Sequence, residues 1–411
     1  MPISAERIQN DIAAIARFTL TPGAGASRPT FSEPWRQARE YVKSQLEATG
    51  CKVRIDAAGN LHARPTAISW EAPAWMSGSH IDSVPHGGNY DGVVGIVTAV
   101  EVMRAAREEL KVAIPLELVI WAEEEGTTFG VGMIGSRAFV GELTVDRLSE
   151  LRNSSGQSYV QAGQPHGVAI DKLKSDQLNP TSVIGLIEVH VEQGPALWNE
   201  DVPAACVTGI AGRRQYRCEM RGAANHAGST SMRDRLDALA GAAEAVVALE
   251  KLAHEMKHNT VITVGHIECS PNAINVIAEK AAFTIDFRSP MMALLASGDQ
   301  SIRRIVDQAA QHRRLERSLD VTESLTAVEL DPRVCSKMRR AAEKWHIGPV
   351  SETTSGALHD AAILAPRVPT AMLFVPSRDG ISHNPQEFSR IEDIAAAATI
   401  LMETVRDRRL E

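Results

Sequence analysis

The sequence predicts an α/β protein in which a mostly parallel, doubly wound sheet is interrupted by an inserted α+β unit of ferredoxin-like order, βαββαβ. Three observations predict it. The chain has 411 residues, more than one core usually serves, since single cores stop growing at roughly 250–300 residues. Its first half alternates helix-like and strand-like segments, the order of parallel sheets. From about residue 212 the order changes, and near 369 the buried-strand pattern of the first half resumes.

Taken in order, "MPISAERIQNDIAAIARF" spaces its apolar residues as a helix does, and residues 34–49 read as an amphipathic helix. "CKVRIDAAGNLHAR" reads as two short strands about a turn at Gly59, and "APAWMSGSH" as a strand. A helix from about Gly92 to Leu110, the strand "PLELVIWAEEE" and a strand near 181–193, "TSVIGLIEVHVEQ", follow. In the insertion "RRQYRCEMRG" alternates as a strand and "RLDALAGAAEAVVALEKLAHEM" is helical. "VITVGHIEC" and "KAAFTIDFRS" are strands, and a helix from about 297 to 314 leads into "RSLDVTES". "PTAMLFVPSRDGISHNP" is a buried strand with a polar tail, and a helix over 391–408 closes the chain. The larger domain is therefore expected to be discontinuous, 1–211 with 328–411, around an insertion of 212–327.

Composition narrows the function classes. Hydrophobic content of 44% and charged content of 23% match a globular chain. A net charge of −8 offers no basic footprint for phosphate backbones, so nucleic acid is not an expected partner. No run of about 18 apolar residues occurs, so no membrane span is expected. The N-terminal stretch lacks a secretory pattern, which makes the expected location cytoplasmic. Cys51, Cys206, Cys218, Cys269 and Cys335 contain no Cys-x-x-Cys pair and read as reduced packing residues. "GVVGIVTAV" lacks the spacing of a dinucleotide fingerprint. Ser355 has no nucleophile-elbow context.

Four polar clusters sit at or just beyond predicted strand ends, where open parallel sheets place ligands. They are "GSHIDSVPHGGNYDG" with His80, Asp82 and Asp91; "WAEEEG" with Glu123, Glu124 and Glu125; "LIEVHVEQG" with His190 and Gln193; and "GISHNP" with His383. Imidazole and carboxylate together can hold a divalent ion. Each cluster alone is equally a hydrogen-bonded structural feature. From the residues alone, a metal site and a set of polar loops both stand open.

A longer pattern resembles a known family. "GSHIDSVPHGGNYDG", "EEEGTTFGVGMIGSR", "EVHVEQGPAL", "GIAGRRQYRCEMRGAANHAGSTSMRDRLDAL", "NAINVIAEKAAFTIDFR", "SGALHDA" and "DGISHNPQEF" occur in series from about Gly78 to Phe388. They are similar to the motifs of the N-carbamoyl-L-amino-acid hydrolase, β-ureidopropionase and allantoate amidohydrolase branch of the aminoacylase and carboxypeptidase-like dinuclear metallohydrolases (peptidase family M20). The resemblance implies two divalent ions per subunit, Mn²⁺ or Zn²⁺ with Co²⁺ or Ni²⁺ as alternatives, sharing Asp91. One is also held by His80 and His190, the other by Glu125 and His383. Asp82 lies behind His80 and fixes its tautomer.

Glu124 is implied as general base, although the adjacent Glu123 leaves the register of the three glutamates open. His226 is implied as the oxyanion donor, from its own or a neighbouring subunit, and Gln193, Asn275, Arg288, Gly356 and His359 as substrate contacts. The insertion is implied to be a lid and homodimer interface. The implied substrate is a small ureido or amide compound with a carboxylate, cleaved at its carbamoyl C–N bond to release ammonia and carbon dioxide. Allantoate, and the N-acyl amino acids or dipeptides of related enzymes, are the alternatives. Ser229, Ser231 and Ala278 depart from the family pattern beside the implied substrate contacts, which bears on substrate identity.

Overall fold

The computed structural model describes residues 2–410. The described residues divide into two compact units: those through Thr208 with Glu329–Thr353 and those from His359 onward, and Gly209–Val328 with Thr354–Leu358. In chain order the strands are β1 (Cys51–Ile55), β2 (Leu61–Pro65), β3 (Ala74–His80), β4 (Leu116–Trp121), β5 (Val183–Val191) and β6 (Ala204–Ile210). Then come β7 (Gly212–Arg221), β8 (Val261–Thr263), β9 (Ile267–Ser270), β10 (Lys280–Ser289) and β11 (Glu316–Leu325). The last are β12 (Val328–Glu329), β13 (Val350–Ser355) and β14 (Thr370–Val375).

The larger sheet has the order β1-β2-β4-β3-β5-β14-β6-β12, with β13 on β6. Its centre is parallel, β4 and β5 flanking β3 and β14 beyond β5, while β2 and β6 add antiparallel neighbours on either side. Each parallel crossover needs a helix or a long loop. Val93–Glu108 joins β3 to β4 and is buried almost all round, which explains why its sequence is largely apolar; its buried Glu101 and Arg104 pair with Arg7 and Asp11.

Alternation along β4 sends Leu116, Leu118 and Ile120 into the main core. Trp121 on the opposite face meets Phe139 of the short helix Ile134–Phe139. Both faces of the sheet are therefore covered, as parallel strands require. The main core is completed by Ala5–Ala16, Glu33–Ala48, Pro332–Lys344 and Ile391–Val405.

The second unit has the order β, α, β, β, β, α, β, which becomes β, α, β, β, α, β when β8 and β9 count as halves of one strand, with an antiparallel sheet ordered β11-β7-β10-β8, β9 also pairing with β10. Its helices Ala238–Met256 and Met292–Arg313 supply Ala242, Ala245, Leu249, Ile302 and Val306 to a separate core. "VITVGHIEC", expected as one strand, is broken into β8 and β9. Four steps from Thr263 to Ile267 face three from Phe283 to Asp286 on β10, and the extra residue is accommodated around Gly265. The second helix begins at Met292 rather than near 297.

Candidate metal centre

Parallel strands bring their C-terminal ends to one edge, and this is what gathers the polar clusters. His80 is the last residue of β3, His190 the penultimate residue of β5, Glu123–Glu125 follow β4, and His383 lies in the loop after β14. Asp91 comes back over the end of β3 because Gly92 turns the chain at φ 66°. A Cβ at Gly92 would fall 2.6 Å from His80 Cε1 and Nε2. Only glycine fits there, on conformation and on space. Glu123, Gln193 and His383 also hold left-handed backbone, at φ 58°, 58° and 53°, the kind of strain that concentrates at functional sites.

Three mutually close groups result: His80, Asp91 and His190; Asp91, Glu125 and His383; and His80, Glu124 and Glu125. His190 Nε2 and His80 Nε2 lie 3.1 Å and 3.6 Å from Asp91 Oδ1, and His383 Nε2 lies 3.1 Å from Asp91 Oδ2. His383 is also 3.6 Å from Glu125, and His80 3.7 Å from Glu124.

The donor chemistry fits cations. His80 Nδ1 donates to the Asp82 main-chain carbonyl and His190 Nδ1 to that of Val191, each at 3.0 Å. A carbonyl only accepts, so in the neutral rings Nε2 carries a bare lone pair. Both lone pairs face carboxylate oxygens, acceptor against acceptor, and His190 Nε2 is buried without a hydrogen-bond partner. A proton or a metal ion must sit between them.

Burial by itself disfavours the charged forms, yet Glu124, Asp91 and Asp82 hold the His80 imidazole pKa well above its usual value, and Asp91 and Glu188 raise that of His190. Burial raises Asp91 too, but the nearby His190, His383 and His80 imidazoles prevail and hold its carboxyl well below the carboxylate range. Burial and the charge of Asp91 push Glu125 up to about 7, and burial together with Glu125 lifts Glu124 well above its usual value. Divalent ions would relieve this concentration of buried negative charge.

The three consecutive glutamates separate. Glu123 is fully buried and accepts main-chain N–H bonds from Thr128 at 2.7 Å and Phe129 at 2.9 Å. Glu124 and Glu125 face the imidazoles. For Asp82 the structure changes the atom. The main-chain carbonyl orients His80, while the carboxylate, 3.8 Å from Nδ1, accepts the Glu125 N–H.

Gln193 donates its side-chain amide to Asp91 Oδ2 at 2.9 Å. His359 is buried with its ring centroid 4.4 Å from that of His190, and burial with the neighbouring His190 charge lowers its pKa well below normal.

His226, Asn275, Arg288 and Gly356 belong to the second unit. His226 Nδ1 accepts from the main-chain N–H groups of Gly228 and Ser229 at 3.0 and 3.2 Å, so the neutral ring carries its proton on Nε2. The Arg288 guanidinium donates to Asp286 at 2.8 Å and to the Gly356 carbonyl at 3.1 Å. Asn275 is exposed, and its carbonyl accepts the Ala227 N–H.

Two further carboxylates escape sequence reasoning. Glu188 on β5 accepts Ser79 Oγ at 2.7 Å and the Ala361 N–H at 3.0 Å, and forms a close group with His190 and His359. A glutamate inside the apolar run "VIGLIEVHV" is a readable signal that a buried charge has partners. Glu387, under the Asp91 loop, has no such signal.

A model of "Peptidase family M20/M25/M40" matches residues 76–407. The chain is 36% identical to an N-carbamoyl-L-amino acid amidohydrolase of Geobacillus stearothermophilus, covering 98% of both chains. It is 30% identical to the allantoate amidohydrolase of Escherichia coli strain K12, covering 96% of both. A crystal structure of an amidase of the hydantoinase/carbamoylase family from Burkholderia multivorans superposes with a TM-score of 0.92 at 33% identity, covering 100% of this chain and 98% of that one.

Proposed function

The chain belongs to peptidase family M20/M25/M40, and from that premise we propose that it is a dinuclear-metal amidohydrolase cleaving the carbamoyl C–N bond of an N-carbamoyl amino acid or related ureido acid. It is a hydrolase of C–N bonds of the carbamoyl and ureido amidohydrolase class, as its full-length relatives are. The observation that carries the metal reading is the pair of inward imidazole lone pairs, on His80 and His190, set against Asp91.

In this reading His80, His190 and Asp91 hold one ion, and Asp91, Glu125 and His383 the other. Paired divalent ions supply Lewis acidity toward a carbonyl oxygen and lower the pKa of water toward neutrality. The chain's own groups do the rest. Glu124 takes the proton of the attacking water and delivers it to the departing nitrogen, work suited to a buried carboxyl whose proton affinity is raised. His226 donates from Nε2 to the developing oxyanion. Arg288 takes the substrate carboxylate in its planar fork, and Gln193, Asn275, Gly356 and His359 contact the remainder. The carbamate so released decomposes to ammonia and carbon dioxide.

We read the second unit as a lid and homodimerisation domain; its ferredoxin-like character is supported by the sheet order of its strands. Mn²⁺ or Zn²⁺, a cytoplasmic location and a carboxylate-bearing small-molecule substrate complete the proposal. Among the described residues, no helix is long and apolar enough to cross a membrane.

The test is ammonia release by the Mn²⁺- or Zn²⁺-loaded enzyme from N-carbamoyl amino acids, allantoate, N-acyl amino acids and dipeptides. N-carbamoyl amino acids are expected to react best. Preference for allantoate would move the chain to the second reading, which the Escherichia coli relative favours. Cleavage confined to acylated or peptide substrates would overturn both.

A further inference from the structure

Two of the three imidazoles around Asp91 are fixed by the sheet, His80 and His190 being residues of β3 and β5. The third, His383, and Asp91 itself lie on loops, so their mutual geometry needs another constraint. Glu387, 5% exposed, supplies one. Its Oε2 accepts the main-chain N–H of Tyr90 at 2.8 Å and of Asp91 at 3.0 Å. Its Oε1 accepts Ser382 Oγ at 3.0 Å, next to His383, and the same hydroxyl is 3.4 Å from Asp91 Oδ2.

The Asp91 loop is shaped around this carboxylate. A Cβ at Gly88 would fall 2.0 Å from Glu387 Oε2. Beside it the rings of Tyr90 and Phe388 pack edge to face at 5.9 Å, so the two loops meet through both polar and apolar contacts.

We propose that Glu387 is a positioning residue that sets Asp91 against His383, and thereby governs the affinity of the ion shared by Asp91, Glu125 and His383. The His80–His190 side is left to the sheet. Glu387 holds no ion and touches no reacting atom; it works through the Asp91 main chain and the Ser382 hydroxyl. The inference rests on the dinuclear reading above.

The experiment titrates Mn²⁺ into the metal-stripped full-length chain and follows binding by electron paramagnetic resonance, where a coupled pair and a lone ion differ in signal, with elemental analysis for stoichiometry. Glu387→Ala is expected to weaken the second ion about 10–100-fold, the range for groups that orient metal ligands, and to move the first far less. Glu387→Gln, which still presents an oxygen to the Tyr90 and Asp91 amides, should recover most of that loss. Ser382→Ala, which removes one of the two links, should fall between. It also carries the test if Glu387→Ala does not fold. Wild-type protein binding fewer than two ions per chain sinks the dinuclear reading itself. Wild type binding two, with Glu387→Ala and Ser382→Ala binding both as tightly, overturns the role of Glu387 alone. Loss of both ions in equal measure overturns it as well.

Discussion

At the scale of single residues, the three consecutive glutamates diverge, and the proposed base, Glu124, is the one that faces His80. Glu123 spends its carboxylate on two main-chain N–H groups, whereas Glu124 faces His80 with no main-chain donor to satisfy it. Glu124→Gln is expected to retain two ions per chain while kcat falls roughly 10²–10⁴-fold, the usual worth of general acid–base catalysis. Metal analysis beside steady-state rates checks this, and lost metal would make Glu124 a ligand instead. The string "EEE" shows three identical side chains. The left-handed φ of Glu123 decides which one turns away, and a backbone angle set by the following loop is not written in residue type.

At the scale of elements, the turn from β3 into the helix Val93–Glu108 is the most constrained join. Gly92→Ala demands positive φ of an L-residue and drives a methyl group against the His80 carbonyl and ring. A loss of stability of more than about 1 kcal/mol is expected, as for Gly→Ala where φ is positive. Weaker metal binding should accompany it; thermal melts with and without Mn²⁺ measure both.

The closing helix, Ile391–Val405, carries a different cost. Asp393 lies 3.9 Å from Arg390 Nη1, beyond hydrogen-bond reach, and burial pushes its carboxyl up from 3.8 to about 6. A folded-state pKa above the unfolded one means that the folded chain keeps a proton the unfolded chain has released. Stability from this group therefore falls as pH rises from about 4 to about 6. Asp393→Asn should raise the melting temperature at pH 7 and leave it nearly unchanged at pH 4; equal shifts at both would remove titration as the cause. The helix Pro332–Lys344 is legible in the sequence. Asp331 caps it, Pro332 opens it, and Val334, Cys335, Met338, Ala341 and Ala342 are buried at helical spacing.

For the whole molecule, two units have separate cores, and Arg288 tests the substrate-binding role proposed for the second. Its fork already donates to Asp286 and to the Gly356 carbonyl. Arg288→Ala is expected to raise KM for N-carbamoyl substrates roughly 10–100-fold with kcat little changed, the worth of hydrogen bonds to a charged group; an unchanged KM would confine Arg288 to its partners within the unit.

The amino-acid sequence sets the alternation of helix and strand, the mostly parallel sheet and the placing of polar clusters at strand ends. Those follow from local periodicity, which is encoded residue by residue. It also displayed the serial motifs of the family to which the chain belongs. The folded chain alone brings His80, Asp91, Glu124, Glu125, His190 and His383 together, and sets a main-chain carbonyl rather than the Asp82 carboxylate against His80. It also decided that Glu387 binds two loops together. Convergence depends on strand order and on loops meeting across nearly 300 positions of chain, from Asp91 to Glu387 at a separation of 296, and no local pattern carries that distance.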